Sequence, residues 1–373
     1  MKKALMGTTA LVAAAVTTGV AAEEMMAEPI SISVGGNSHW GIAIVDNEMN
    51  SDTSDDIALS NDVELRFAGS TVLDSGVEVG VRIEIEGEES TDQGDETYMY
   101  LEGSFGTIRV GNDDTASYQM STAAPYATYF YGINTPFWVG SFSGPNSNWH
   151  STFAGVNAGD SASVMYFSPV INGFQFGVSY APEAGAEARS DTASRAKGGD
   201  VVSIGARFDG AFGDAGVTVA AGYASQEKEP MSAVTGSYIQ ADGTVGSTKT
   251  DDVLRKAVTA APGATETDYN AGVVVSMSGV SVGGSYRATD HDDGSDDTEQ
   301  FDVGISYGEG PWTISLNYGE KTQDSAGTDN TYARLLGNYN LGPGINLAGA
   351  LGQDTLASDE NTTFAGVAMA ISF

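Results

Sequence analysis

The sequence predicts an all-β protein, a transmembrane antiparallel β-barrel of about sixteen strands. Three observations carry this prediction: apolar and polar residues alternate along most of the chain, the apolar faces often end in an aromatic residue, and tight turns alternate with long polar connections. Membrane strands combine these features because one face meets lipid and the other meets a polar interior. A soluble β-sandwich also alternates, and it is the competing fold.

The period-two alternation is clearest in two segments. "DVELRFAG" places Val63, Leu65 and Phe67 on one face and charged residues on the other, and "VEVGVRIEIE" (77–86) repeats the pattern. Such segments recur to the end of the chain. Candidate strands occupy 30–45, 61–72, 76–87, 96–104, 105–112, 161–168, 173–181, 200–209, 216–225, 268–277, 279–289, 299–308, 311–320, 331–340, 344–353 and 362–373.

Aromatic residues and connection lengths favour the membrane interpretation. Apolar faces end in aromatic residues as the girdles of membrane barrels do, at Tyr180, Tyr223, Tyr286, Tyr307, Trp312 and Phe373. Tight turns such as "LDSG" (73–76) and "GEGP" (308–311) alternate with long polar segments, the longest being 112–160 and 226–267. We expect irregular structure within 226–267. A barrel of about sixteen strands leaves an aqueous channel.

The N-terminus has the pattern of an export signal. Two lysines precede a short apolar stretch, and Val20-Ala21-Ala22 is a plausible small-residue cleavage site. We therefore predict a signal peptide over 1–22 and a single mature domain over 23–373. An N-terminal anchor helix is the alternative, but a membrane helix needs about 20 apolar residues.

Charge and composition exclude several classes of protein. The net charge is −34, cysteine is absent, and glycine accounts for 48 of 373 residues. The chain therefore has no disulfides and few residues suited to long helices. Its strong negative potential makes nucleic acid an unsuitable partner and favours cations near a channel mouth.

Two segments carry a resemblance to a known family. "GSFGTIRVGNDDTA" (103–116) and "YFSPVINGFQFGVSY" (166–180) are similar to segments of Gram-negative general (diffusion) porins, particularly the alphaproteobacterial type. The terminal Phe373 resembles the assembly signal of that class. The resemblance implies a homotrimeric barrel in outer-membrane lipid, with a long third loop folded into the lumen. It also implies passive diffusion of ions and small hydrophilic solutes.

The segment 112–160 is the expected pore-constricting loop. It concentrates aromatic residues that a solvated loop rarely exposes, because apolar patches of this kind usually mark burial or an interface. They are Tyr126, Tyr129, Phe130, Tyr131, Phe137 and Trp138. Folding into the lumen would bury them against the wall. A trimer contact and an external cap are the alternatives.

Strand parity places charges on the inner wall. The alternation predicts that Arg66, Arg82 and Arg109 point into the lumen. The resemblance implies that acids of the inserted loop oppose such arginines, and the nearest acids are Asp113 and Asp114. Segment 115–159 contains no Asp or Glu, so acids of the lumen wall take part of that role: Glu64, Glu78, Glu84 and Glu86. Opposed charges would create a transverse field that selects solutes. Alternatively, each arginine only pairs with a neighbouring glutamate to stiffen the wall. Arg207, Arg287 and Arg334 also come out inward.

The acidic loops raise the question of a bound metal. Carboxylate oxygens are suitable ligands for Ca²⁺, and the segment 290–300 is the richest, with Asp290, Asp292, Asp293, Asp296 and Asp297. It does not fit the helix-loop-helix calcium pattern. A solvated acidic surface is the alternative, and no other cofactor is expected.

An enzyme is not expected. Barrel hydrolases generally need a base such as histidine beside a carboxylate or serine, and the chain has only His39, His150 and His291, which are spread along the sequence. Two further non-enzymatic functions remain as alternatives: a solute-specific channel, and a surface protein that uses its barrel only as an anchor.

Overall fold

The computed structural model describes residues 29–47, 57–87, 94–134, 151–153, 161–184, 199–228, 264–292, 297–323, 329–355 and 361–373, together with short strands between 232 and 260. The predicted signal peptide (1–22) lies outside the described residues. No helix among these residues is long and apolar enough to cross a membrane.

Sixteen antiparallel strands form a closed barrel in chain order, which confirms the predicted fold class. The strands are β1 (Ser31–Asn47), β2 (Ile57–Val72), β3 (Glu78–Glu86), β4 (Gly94–Gly103), β5 (Gly106–Asp113), β6 (Ser161–Phe167), β7 (Phe174–Glu183), β8 (Gly199–Phe212), β9 (Ala215–Lys228), β10 (Ala264–Met277), β11 (Val280–His291), β12 (Thr298–Glu309), β13 (Trp312–Gln323), β14 (Asn330–Gly342), β15 (Ile345–Thr355) and β16 (Asn361–Ser372). One short helix, α1 (Ala116–Gln119), follows β5.

Closure joins β16 to β1 and so removes both sheet edges. The pairing runs from Asn37 opposite Ser372 to Asn47 opposite Thr362. Beyond it, the backbones of Gly36 and Phe373 exchange two hydrogen bonds of 3.0 Å. Closure therefore uses residues 37–47 of β1 rather than the first residues of that strand. Residues 31–35 pair only with β2.

The turn between β6 and β7 shows why the sequence folds into hairpins. Asn172 and Gly173 have φ angles of 52° and 89°, as a two-residue type I′ turn requires. The flanking Ile171 and Phe174 exchange backbone hydrogen bonds of 2.8 and 3.0 Å. Asparagine and glycine tolerate positive φ best, so this dipeptide fixes the register of the hairpin.

The outer surface is apolar and aromatic. Val81 and Ile83 of β3 are exposed on the outer side of the barrel, whereas the next residue, Glu84, is buried on the inner side. This alternation is what a period of two predicts. All six predicted girdle aromatics are exposed on the outer side: Tyr180, Tyr223, Tyr286, Tyr307, Trp312 and Phe373. The membrane-facing band therefore consists of the side chains that the alternation assigned to lipid.

The connection between β9 and β10 carries additional strands. Two small sheets are formed by Ser232–Ala233 with Thr259–Ala260, and by Tyr238–Gln240 with Val245–Gly246 and Val253–Lys256. The sequence had indicated only irregular structure within 226–267. Strands of two to four residues are too short to show a recognisable alternation.

Candidate functional site in the barrel lumen

The connection from β5 to β6, residues 114–160, is the inserted loop. Asn112 and Asp113, which were expected to begin it, belong to β5 instead. The loop turns inward at α1, where the backbone N–H groups of Ala116 and Ser117 donate to the hydroxyls of Ser179 on β7 (3.0 Å) and Ser203 on β8 (2.7 Å). Hydroxyls of the inner wall thus satisfy helix N–H groups that have no partner within the helix.

The loop then follows the inner wall from β8 to β13. The N–H of Ala124 donates to both carboxylate oxygens of Asp302 on β12, at 3.2 and 3.3 Å. Further on, the N–H of Ala127 donates to the hydroxyl of Ser315 on β13 at 2.9 Å. The carbonyl of Pro125 accepts from Asn317 at 2.9 Å. These contacts confirm that the long third loop folds into the lumen.

An apolar seat for the loop lies inside the barrel, on β1 and β14–β16. Phe130 and Tyr131 are buried there against small residues and two larger side chains, namely Ala43, Leu336, Ala348, Ala350, Phe364, Ala368 and Ala370. The Tyr131 hydroxyl donates to the backbone carbonyls of Ile42 and Val367 at 3.2 and 3.4 Å. Burial raises the pKa of Tyr131 to about 12, so this hydroxyl remains protonated and can donate.

Not every predicted loop aromatic is buried. Tyr126 and Tyr129 remain 38% and 41% exposed and face the lumen, which corrects the expectation that the whole set packs against the wall. Phe137 and Trp138 lie outside the described residues. Phe130 and Tyr131 are buried because the small side chains of the seat leave room for an aromatic ring.

Residues 151–153 return to the same wall. The hydroxyl of Thr152 lies 2.5 Å from that of Ser285 on β11, and its N–H donates to Asn134 at 3.0 Å. The N–H of Ser151 donates to Gln300 on β12 at 2.8 Å. The described parts of the loop therefore contact the inner side of β6–β16 and of β1, which we call the covered wall.

The inner faces of β2–β5, which the loop contacts at Arg109 and Asp113 through Gln119, form the uncovered wall, where the predicted arginines lie. The Arg66 guanidinium bonds to Glu84 (Nε to Oε2, 3.0 Å) and to Glu64 (Nη2 to Oε2, 2.8 Å). Arg82 donates from Nε to the other oxygen of Glu84. Glu84 is thus a buried carboxylate shared by two arginines, and parity placed all four side chains on the correct face.

A β-bulge adds acids to the uncovered wall. The register between β3 and β4 shifts between Ile83 and Ile85, so that two residues of β4 oppose one of β3. Bulges re-aim side chains, and here oxygen atoms of Asp95, Glu96 and Glu84 come within 4.8 Å of one another. Period-two counting could not find Asp95, because the bulge breaks the period at this point.

Arg109 pairs along its own strand. Its Nη1 atom donates to Asp113 Oδ2 at 2.7 Å and to Gln119 of the loop at 2.9 Å. Gln119 in turn donates to Asp113 at 3.0 Å and to the carbonyl of Asp114 at 2.6 Å. Asp113 therefore meets Arg109 as a residue of the wall and not of the loop, whereas the opposition of wall arginines to Asp114 stays a prediction.

The two remaining wall glutamates stand at opposite ends of β3. Glu78 accepts a hydrogen bond from Tyr100 at 2.7 Å. Glu86 lies directly opposite Glu64 of β2. Asp62 of β2 contacts His39 of β1, with 3.4 Å between Oδ2 and Nδ1. Carboxylates therefore line the long-loop end of the uncovered wall.

The acidic segment after β11 is only partly described. Asp292 bonds to the N–H of Thr265, and Asp297 accepts from the N–H of His291 at 2.7 Å. Asp293 and Asp296 lie outside the described residues. The Ca²⁺ hypothesis for Asp290, Asp292, Asp293, Asp296 and Asp297 therefore stays a prediction.

Comparisons with known proteins agree on the fold. A family model described as Gram-negative porin matches residues 7–358. Similar solved structures include an anion-selective porin from Comamonas acidovorans (16% identity, 92% of this chain and 100% of that chain, TM-score 0.62). They also include the trimer form of OmpT, an outer membrane protein of Vibrio cholerae (15% identity, 93% of this chain and 100% of that chain, TM-score 0.60). A mutant porin of Rh. blastica is similar as well (16% identity, 92% of this chain and 100% of that chain, TM-score 0.55). No curated protein sequence matches the chain.

Proposed function

Because the chain belongs to the Gram-negative porin family, we propose that its outer-membrane barrel lets ions and small hydrophilic solutes diffuse passively between the inserted loop and the uncovered wall, with a preference for cations. The observation that carries this proposal is the path of the loop. Its anchors lie on the covered wall, from Ser179 on β7 round to the backbone of Ile42 on β1. The charged faces of β2–β5 are left to border the aqueous path.

The charge on the two sides of that path supports the cation preference. Residues 115–159 contain neither acidic residues nor Lys or Arg. On the opposite side, Arg66 and Arg82 are bonded to Glu64 and Glu84. The remaining carboxylates of the uncovered wall, among them Asp62, Glu86, Asp95 and Glu96, outnumber its remaining positive charges. A net negative wall raises the local cation concentration.

The fold alone does not fix the sign of selectivity, since the similar porin from Comamonas acidovorans is described as anion-selective. The decisive features are therefore the side chains of the uncovered wall. The paired arrangement also favours the wall-stiffening role for Arg66 and Arg82, because their charges are largely compensated at contact distance. Selectivity then comes from the acids in excess rather than from a transverse field.

A solute-specific channel is the second candidate. Tyr118, Tyr126 and Tyr129 of the loop are exposed to the lumen, and aromatic faces can bind the apolar faces of sugar rings. Specific binding would make a saccharide block the ion current in a saturable, stereoselective manner. A general channel shows only a weak effect that follows solute size.

Assembly follows from the family. We propose a homotrimer, supported by the trimer form of the similar OmpT, and an assembly role for Phe373, whose backbone closes the barrel on Gly36. Neither an enzymatic nor an adhesive role is supported by the arrangement of the described lumen residues.

Planar-bilayer recording of purified, folded protein tests the channel. Under a salt gradient we expect stepwise conductance and a reversal potential whose sign shows that cations cross the channel more readily than anions. Absence of conductance from folded protein would contradict the channel, whereas an anion-signed potential would contradict only the role of the acidic wall.

A further inference from the structure

Three arginines of the covered wall share one arrangement. Arg207, Arg287 and Arg334 each form an ion pair with an aspartate of the wall and each donate to a backbone carbonyl of the inserted loop. We propose that they are clamps that hold the loop in place, and that they set the width of the channel rather than its charge. This inference rests on the proposed channel function.

Arg334 on β14 is the most buried clamp. Its side chain is 2% exposed and its Nε donates to the carbonyl of Tyr131 at 2.9 Å. Its Nη1 pairs with Asp354 of β15, and the guanidinium lies 4.9 Å from the centroid of the Phe364 ring. A guanidinium has several N–H donors in a fixed plane, so it can bond to aspartate and to the loop at the same time.

Arg207 on β8 holds the first part of the loop. Two of its nitrogens bond to Asp209, at 2.6 and 3.2 Å, and Nη1 donates to the carbonyl of Ser121 at 2.9 Å. Thr218 donates to the same aspartate at 2.7 Å. The aspartate is thus held in place and in turn fixes the direction of the guanidinium.

Arg287 on β11 holds the returning part. It bonds to Asp268 through two contacts of 2.8 and 2.7 Å, and Nη1 lies 3.4 Å from the carbonyl of Ser151. This is the longest of the three loop contacts. We therefore expect its loss to have the smallest effect.

The shared arrangement lets the three arginines position the loop without determining which ions the channel selects. Each positive charge is compensated by its own aspartate at hydrogen-bond distance, so the clamp adds little to the potential along the channel. A further N–H group of each guanidinium is directed at a loop carbonyl. Hydrogen bonds from charged donors are stronger than neutral ones, and loss of one clamp should raise the population of displaced loop about tenfold to a hundredfold.

The experiment compares Arg207→Gln, Arg287→Gln and Arg334→Gln with the wild type in planar bilayers, and Arg66→Gln on the uncovered wall serves as the matched control. The clamp variants should show larger and noisier single-channel conductance and admit larger solutes in liposome swelling. Their reversal potential should shift no further than that of Arg66→Gln, which also removes one positive charge from a bonded pair. Unaltered conductance and solute cut-off in folded clamp variants would overturn the proposal.

A disulfide lock separates loop displacement from the loss of charge. The chain has no cysteine, and the hydroxyls of Ser117 and Ser203 lie 2.7 Å apart, which suits a pair of introduced cysteines. When the Ser117→Cys/Ser203→Cys pair is added to Arg207→Gln and oxidised, the single-channel conductance should return to the wild-type value. Reduction of the disulfide should restore the larger conductance of Arg207→Gln. Wide conductance that persists in the oxidised protein would show that the arginine acts by its charge and would contradict the clamp.

Failure of the two proposals can be distinguished. If the wild type shows no conductance, the channel function fails before any variant is compared. If the wild type conducts and folded clamp variants match it, only the clamp proposal fails. Heat-modifiable migration in electrophoresis verifies that each barrel is folded before it is recorded.

Discussion

Replacement of Asp302 by alanine should detach the middle of the inserted loop. Asp302 is 2% exposed and accepts hydrogen bonds from the backbone N–H groups of Ala124 and Ser285, and from Asn134. It is therefore the acceptor that joins two points of the outgoing part of the loop, Ala124 and Asn134, to β12. Alanine at this position leaves these donors without the carboxylate.

The magnitude follows from the donors that lose their partner. A buried donor left unsatisfied costs about 1–3 kcal/mol, so the two backbone N–H groups together give about 2–6 kcal/mol. Water in the lumen can replace part of the lost acceptor. We therefore expect the free energy of unfolding to fall by about 2 kcal/mol, at the lower end of that range.

Urea titration of the refolded protein, followed by tryptophan fluorescence, measures the free energy of unfolding. Glu309→Ala on the same strand is the matched control, because Glu309 is exposed and its described hydrogen bond is to the neighbouring Tyr307. The control should change stability by less than about 0.5 kcal/mol. An Asp302→Ala variant as stable as the control, with wild-type conductance, would refute the assignment of Asp302 as a loop anchor.

Three further predictions concern the seat, the wall and the terminus. Gly366→Leu should displace the loop, since a Cβ there would lie 2.6 Å from the Tyr131 ring, and should raise conductance; outward-facing Gly337→Leu meets open space and should not. The double variant Arg66→Gln/Arg82→Gln should increase the preference for cations about threefold for each charge removed, which is the Coulomb effect of a unit charge about 7 Å from the ion in water. An unchanged reversal potential would limit both arginines to a structural role. Deletion of Phe373 should reduce the yield of assembled barrel in vesicles while assembled molecules conduct normally, and normal yield would remove its assembly role.

The sequence predicted the strands well because alternation is a local property. In β3 the period of two was enough to place Arg82 and Glu84 inside, and the structure confirms it. The small inner face of β16 was also visible in the sequence. Its purpose was not, because the aromatic pair that it seats comes from a loop more than two hundred residues earlier.

Features that depend on tertiary contacts were missed. The bulge that turns Asp95 inward has no local sequence pattern, because it arises from the register of β3 against β4. Parity found that Arg207, Arg287 and Arg334 face inward, but their loop contacts depend on the path of residues 114–134 and 151–153. The assignment of Asp113 to the loop was wrong for a simpler reason, since β5 extends to Asp113.

Cysteine accessibility tests most directly whether ions pass between the loop and the uncovered wall. Ala68→Cys introduces a thiol on the inner face of β2 opposite Arg82, whereas Ala348→Cys introduces one that is buried beneath the loop aromatics. A cationic, membrane-impermeant thiol reagent should reduce the current through the Ala68→Cys channel and leave the Ala348→Cys channel unchanged. Loss of current at Ala348→Cys with none at Ala68→Cys would contradict the proposed path.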